Sequence, residues 1–268
     1  MLTNLWFILV YQPLVNGLIF FYNLLNHNLG WAIISLTVTL RLILMPFTLP
    51  SLKAAQKMKD LQPKLDKLKK KYQHDKQALA QAQMKLYREQ GVNPAAGCLP
   101  WIVQIVVLLA LFRVFNQVLM ADKEIVNQLN QILYPVFQLP TDMVFNSRFF
   151  YLDLTKPDLI TLPFSLGLGK FVLDKMPGLF LIGAAVTQFL SSKLMLPETQ
   201  ALKKEVKKTP QKQDDVMVQM QQQMLYIMPL MTIVIGFTFP SGLVLYWLTF
   251  SLVMAGQQIA MHYLKRAT

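Results

Sequence analysis

Six stretches of the chain are almost continuously apolar: residues 5–25, 29–50, 98–120, 178–196, 225–239 and 242–262. Within each, apolar residues fill the run instead of recurring at helical or strand spacing, so each is read as an element surrounded by apolar material on all sides. At about 1.5 Å per residue, runs near 20 residues match a bilayer core of about 30 Å. A β-barrel would alternate polar and apolar positions, and these runs do not. The pattern predicts an all-α integral membrane protein.

The polar stretch 51–97 reads differently. Leu61, Leu65 and Leu68 recur at helical spacing, and Leu79, Met84, Leu86 and Tyr87 do so more loosely. Tyr72 to Asp75 suits a turn, and Gly91, Val92, Asn93 and Pro94 end the second helix. A helical hairpin is expected. Residues 121–177, 197–224 and 263–268 are left as an outer segment, a loop and a tail.

Composition supports the membrane reading. Apolar residues make up 54% and charged residues 15%, against about 25% charged in an ordinary soluble domain. The single cysteine, Cys98, excludes an intramolecular disulfide.

Charge sets the topology. Residues 51–90 carry 11 Lys and Arg against 4 acidic residues, while 120–177 carry 5 against 6. Lysines cluster again at 203, 204, 207, 208 and 212, and Lys265 and Arg266 close the chain. Basic loops stay in the cytoplasm. The hairpin, the 197–224 loop and the tail are therefore expected inside and 121–177 outside, joined by five spans: 29–50, 98–120, 178–196, 225–239 and 240–262 with its leading turn. At 15 residues, 225–239 is short for a bilayer unless it continues back through Met220 and Met224, and a short span would thin the membrane locally. Residues 1–28 have no basic flank and no small-residue cleavage site, which argues against a signal peptide. Gln12, Pro13 and Asn16 interrupt the run, and Trp6, Phe7, Tyr11, Phe20, Phe21 and Tyr22 suit a headgroup belt. A helix lying on the outer leaflet is expected; a sixth span is the alternative.

Catalytic patterns are missing. No Asp or Glu lies in the five spans, and His27, His74 and His262 are too scattered to hold a metal. An intramembrane protease would need a metal or a base to activate water, and a proton-coupled pump would use intramembrane acids. The chain is expected to be no enzyme and to need no metal, nucleotide or other cofactor.

Arg41 is the outstanding residue. It lies deep in the first span beside Leu40, Leu42, Ile43 and Leu44. A charged Arg at a helix centre costs about 2.5–3.5 kcal/mol on insertion scales. Snorkelling to the interface is the plain alternative, but nine residues separate Arg41 from Pro50, a rise of about 13 Å. Arg41 is instead expected to face water inside the protein, with Thr37 and Thr48 on the same helix face. Gln104, Thr187, Gln188, Ser191, Thr232, Thr238, Thr249, Ser251, Gln257 and Gln258 add uncharged polar groups from other spans. Each alone is ordinary interhelical glue; with Arg41 they suggest a wet cavity. Arg113, near the outer end of its span, reads as a snorkelling anchor.

The residues resemble the YidC/Oxa family of membrane protein insertases, in a short form without a large periplasmic domain. The resemblance is carried by Gln12-Pro13-Leu14, Thr37 with Arg41 and Pro46, Leu61-Gln62-Pro63-Lys64, Val92 to Pro94, Gly97 to Pro100, Gln104, Phe239 to Tyr246, and Gln257-Gln258. It implies a five-helix transmembrane core, a cytoplasmic hairpin needed for function, and a hydrophilic groove open to cytoplasm and lipid but closed outside. The expected groove residues are Arg41, Thr37, Gln104, Gln188, Trp247 and Ser251, and the expected hairpin contacts are Lys53, Lys57, Lys64 and Lys67. The implied role is insertion and folding of nascent membrane proteins in the bacterial inner membrane, alone or with the Sec translocon. The ribosome is a weaker candidate partner because the tail is short, the lipid bilayer is a constant one, and direct nucleic-acid binding is not expected. The rival reading is an anion transporter using Arg41, but transporters often carry related halves and no internal repeat is visible.

Overall fold

A computed structural model describes residues 6–72, 75–93, 99–119, 123–168, 171–195 and 215–267. Pro94, Gly97, Cys98, His74 and the lysine cluster at 203–212 lie outside the described residues. A π-helical stretch, Phe7–Tyr11, runs directly into α1 (Gln12–Leu24), with Pro13 near the join. There follow α2 (Leu29–Lys71), α3 (Lys76–Glu89), α4 (Leu99–Leu119) and α5 (Lys123–Ile132). A short 3-10 turn, Pro135–Phe137, precedes two antiparallel strand pairs, β1 (Arg148–Phe149) with β2 (Leu152–Asp153) and β3 (Leu159–Leu168) with β4 (Phe171–Pro177). The chain closes with α6 (Leu179–Met195), α7 (Asp215–Gly236) and α8 (Ser241–Ala267). The fold is predominantly helical, as an apolar membrane protein requires. Three helical stretches, Phe7–Leu24, Leu29–Met58 and Ser241–Met261, are long and apolar enough to cross a bilayer, and three shorter apolar ones lie at Gln104–Val118, Leu179–Leu194 and Leu225–Gly236. Leu42, Ile43, Phe47, Leu109, Val186, Leu190 and Leu230 are exposed on these helices, where hydrocarbon takes the place of a protein core.

The chain divides into two units. The first comprises Met1–Ile43, Val103–Gln188 and Pro229–Val253. Its core joins Leu14, Leu18 and Ile19 of α1, Ile33 and Leu36 of α2, Leu111 and Phe115 of α4, Val126 and Leu129 of α5, and Leu245 and Tyr246 of α8. The segment 146–158 ties this unit together by filling three helix starts. The first N–H groups of a helix have no partner within it. At α2, the Leu29 amide donates to the Asn146 carbonyl (3.2 Å) and the Asn28 side-chain amide to the Arg148 carbonyl (3.2 Å). At α6, the Leu179 amide donates to the Tyr151 hydroxyl (2.8 Å) and the Leu181 amide to the Asp158 carboxylate (2.8 Å). At α8, the Ser241 amide donates to the Lys156 carbonyl (2.8 Å), the Gly242 amide to the Leu154 carbonyl (3.2 Å), and the Ser241 hydroxyl to the Asp153 carbonyl (3.0 Å).

The Asp153 carboxylate itself closes this loop. It accepts from the Thr155 hydroxyl (2.7 Å), the Thr155 amide (3.2 Å) and the Ser147 hydroxyl (3.2 Å), and pairs with Lys156 at 3.0 Å. The Thr155 hydroxyl, first among these, holds the acid down to about 2 against its partial burial. Since the folded value lies below the unfolded one, the stabilisation is present above about pH 4 and fades as pH falls toward 2. Asp153→Asn is expected to flatten that acid limb of the thermal-unfolding profile, measured in detergent between pH 2 and 5.

The second unit comprises Leu44–Ile102, Phe189–Met228 and Met254–Thr268. Leu52, Leu61, Leu65, Leu79 and Val92 are buried in it. Asp75 caps α3, its carboxylate accepting from the Ala78 amide at 2.9 Å. Gly91 at φ +62° comes just after the helix, a left-handed position that a side chain would strain.

The structure adds to several of the expectations. The boundary placed between residues 50 and 51 falls inside a single helix: α2 runs through Pro46, Pro50 and Pro63 without interruption. The change at 50 is one of composition, from apolar to charged, and helical backbone tolerates that. Second, α7 begins at Asp215 and ends at Gly236, so it spans 22 residues, about 33 Å. The helix thus continues back through Met220 and Met224, while its continuously apolar part remains Leu225–Gly236. Third, the segment 121–177 holds α5 and both strand pairs. Finally, those strands qualify the all-α expectation. Leu, Ile, Phe and Val dominate 159–177 and Gly167 precedes the reversal, a composition that favours strands.

Candidate functional site

Arg41 is 5% exposed. Its neighbours Leu42 and Ile43 face outward, so the helix turns its charge inward and its apolar side to lipid. The guanidinium carbon sits 3.7 Å from the centroid of the Phe250 ring, over its face. A cation at that range is attracted by the ring quadrupole, worth about 2 kcal/mol when desolvated. Tyr246, one turn before Phe250 on α8, lies beside it with ring centroids 6.0 Å apart. The Tyr246 hydroxyl accepts from the Gln104 side-chain amide of α4 at 2.7 Å. Arg41, Phe250, Tyr246 and Gln104 thus form one cluster drawn from α2, α4 and α8.

Thr37 is buried one turn before Arg41, and its hydroxyl donates to the Ile33 carbonyl at 2.6 Å. Thr249 does the same to the Leu245 carbonyl (2.8 Å), and Thr187 to the Gly183 carbonyl (2.7 Å). These hydroxyls satisfy themselves on their own helices. Gln188 lies elsewhere: its side-chain oxygen accepts from the Thr232 hydroxyl, which joins α6 to α7. Trp247 packs against Leu181, Ala184 and Val244 and also against the main core that Phe250 joins. Ser251 is buried next to Phe250 in sequence. Of the expected set, Arg41 and Gln104 meet at Phe250 and Tyr246, and Gln188 bonds to Thr232 between α6 and α7. Sequence reading missed Phe250. Its spacing of four from Tyr246 was the available signal, since residues four apart share a helix face.

Replacing Tyr246 with phenylalanine should leave the Gln104 amide without its acceptor, at a cost of about 1–2 kcal/mol. Thermal unfolding of the detergent-solubilised chain should show it. Adding Gln104→Leu to Tyr246→Phe should recover part of the loss, because both partners are then apolar.

In the second unit, Lys53, Lys57, Lys64 and Lys67 are all exposed. At 100° per residue they fall within a stripe about 80° wide on α2. Around Arg113 of the first unit, Leu109, Phe112, Asn116, Gln117, Ile125 and Gln128 line an open cavity of about 550 Å³. None of the described residues forms a cluster of His, Cys, Asp or Glu suited to a metal.

Comparison with known proteins points the same way. Residues 20–267 match the family described as 60Kd inner membrane protein. A protein of Fusobacterium nucleatum named "Membrane protein insertase YidC" is 36% identical over 231 residues, covering 86% of this chain and 84% of that one. A protein of the same name from Syntrophobacter fumaroxidans is 34% identical over 253 residues, covering 94% of this chain but only 38% of that one. A Rickettsia prowazekii protein of that name is 30% identical, over 90% of this chain and 36% of its own length. Several of the curated relatives are thus more than twice the length of the matching region. The crystal structure titled "Active YidC insertase crystal structure with the first transmembrane domain resolved" superposes with a TM-score of 0.51 at 25% identity, over 92% of this chain and 46% of the other.

Proposed function

The chain belongs to the 60Kd inner membrane protein family, and from that premise we propose that it inserts nascent membrane proteins into the bilayer and helps them fold. The observation that carries the reading is Arg41: a full positive charge, held inward among apolar helices against an aromatic face. A passenger segment must take its polar flank through hydrocarbon, which costs several kcal/mol per unsatisfied group. A polar path between helices replaces part of that hydrocarbon, and a fixed cation on it attracts an acidic flank. The apolar part of the passenger then slides along the lipid-facing helices. No bond is made or broken, so the work is differential solvation.

The helix starts support the topology. The beginnings of α2, α6 and α8 all bond to segment 146–158, so these three helices begin at one end. With the basic 51–90 segment in the cytoplasm, that end is outside, and α4 and α7 return across the membrane. The five form the core. Arg41, Thr37, Gln104, Gln188, Trp247 and Ser251 are its passenger-facing candidates, and α2 beyond Ser51 with α3 forms the cytoplasmic hairpin. The hairpin's stripe of Lys53, Lys57, Lys64 and Lys67 suits anionic headgroups, each lysine contributing about 1 kcal/mol. Residues 7–24 lie on the outer surface in this reading, although they are long and apolar enough to span. Gln12 and Asn16 both donate to the Ile132 carbonyl, and the Asn146 amide donates to the Tyr22 hydroxyl. A helix bonded to the outer segment at Gln12, Asn16 and Tyr22 is held beside it. The Sec translocon and the ribosome are the candidate partners for larger passengers.

The test is reconstitution of the purified chain into liposomes with a small single-spanning passenger carrying an acidic N-terminal tail. Protease protection that requires the chain is expected. Protection equal to that of empty liposomes, with and without added Sec translocon, would sink the proposal.

A further inference from the structure

The cavity around Arg113 has no place in the path just described. It lies on the outer half of α4, and its lining changes along the helix. Exposed Leu109 and half-buried Phe112 lie toward the middle of α4; exposed Arg113 with half-buried Asn116 and Gln117 come next, and Ile125 and Gln128 of α5 complete the open lining. From Leu109 to Gln117 the rise is about 12 Å, over which the wall passes from hydrocarbon-like to amide and guanidinium. That is the gradient of a phospholipid from upper acyl chain to phosphate.

The polar end is also held in place. Tyr11, 2% exposed, donates its hydroxyl to the Gln117 side-chain oxygen. That leaves the Gln117 NH₂ as a donor. The Arg113 guanidinium carbon lies 5.6 Å from the Tyr11 ring centroid. One buried aromatic thus orients both groups. Arg113 makes no ion pair with a carboxylate among the described residues, and the one acid on the described part of α5 is Glu124, exposed and one turn from Gln128. An oriented cation with three side-chain amides around it is a donor set for an oxyanion, and Arg matches phosphate in a two-pronged fashion.

We propose that this cavity binds the phosphate of an anionic phospholipid, with Arg113, Asn116, Gln117 and Gln128 on the headgroup and Leu109, Phe112 and Ile125 against the upper acyl chain. Placing the lipid in the outer leaflet rests on the topology given above; the binding itself does not. A lipid seated there wedges between α4 and α5 and reinforces the docking of the N-terminal helix through Tyr11.

Native mass spectrometry of the full chain in detergent, titrated with phosphatidylglycerol, tests it. Arg113→Gln should weaken the tightest-held lipid about tenfold, the loss expected for a charge-assisted bond. Asn116→Leu should weaken it without touching the cation, and Arg148→Gln, on the outer segment but away from the cavity, should not. Size-exclusion profiles and melting curves identify any variant that fails to fold, and Asn116→Leu then stands in for Arg113→Gln. Equal lipid retention by the wild type and both cavity variants overturns the proposal. Displacement of the lipid by millimolar inorganic phosphate would assign the cavity to free phosphate and overturn the lipid assignment. The readout needs no insertion activity, so an insertase failure and a lipid-site failure are separately visible.

Discussion

Arg41→Ala is expected to reduce insertion of passengers with acidic translocated tails by about tenfold, while passengers with the acids neutralised lose little. The size comes from electrostatics: at an effective dielectric of about 20, unit charges 8–10 Å apart interact by roughly 2 kcal/mol. The folded chain should not suffer in parallel. Arg41 is 5% exposed and stacks on the face of Phe250 among other interactions, so its removal loses contacts but relieves a desolvation cost, and stability is expected to change less than activity. Activity falling further than thermal stability is the signature sought. Arg41→Lys keeps the charge but loses the flat stacking surface, and should recover part of the activity. Protease protection in liposomes with matched acidic and neutral passengers supplies the measurement. Equal losses for the two passengers would remove the electrostatic role.

Gly178→Ala is expected to be the most damaging small substitution at the outer surface, destabilising by more than about 3 kcal/mol. A Cβ at Gly178 would stand 1.7 Å from the Asp158 carboxylate oxygen. Asp158 is 1% exposed and cannot move aside cheaply. One of its oxygens accepts from the Leu181 amide at the start of α6, and the other from the Tyr151 hydroxyl at 2.9 Å. Displacing it strips a helix start of its acceptor and leaves a buried carboxylate short of donors. Gly183→Ala, five residues on, is the control, since its Cβ would meet only Leu248 at 3.5 Å, ordinary contact. Melting temperature and membrane yield of the two variants should diverge sharply. Similar values for both would mean that the 158–181 junction is looser than its geometry.

Much of this was legible in the chain. Runs of apolar residues are a one-dimensional signal, and so is the contrast between the basic stretch 51–90 and the near-neutral stretch 120–177. The turn near Tyr72 to Asp75 and the stop at Gly91 were readable because caps are local chemistry. Arg41 stood out because charge in an apolar run is expensive wherever it points. What was not legible depends on partners far away in sequence. Ser241 lies in a recognisable stretch, yet its job, bonding to Asp153 and Lys156, is invisible without the fold. Phe250 carries no signal of its own in an apolar helix. The continuity of α2 was hidden because prolines and a change of solvent look like a boundary, and here are not.

The bonding of α1 bears on how this protein is itself made. Its partners for Asn16 and Tyr22 lie 116 and 124 residues later in the chain. These bonds of α1 can therefore form only after more than a hundred further residues have been synthesised, whereas Ile33 and Leu36 of the neighbouring α2 can cover Leu14, Val15, Leu18 and Ile19 much sooner. The first helix is thus assembled in two stages, an early local contact with α2 and a late bond to a distant segment.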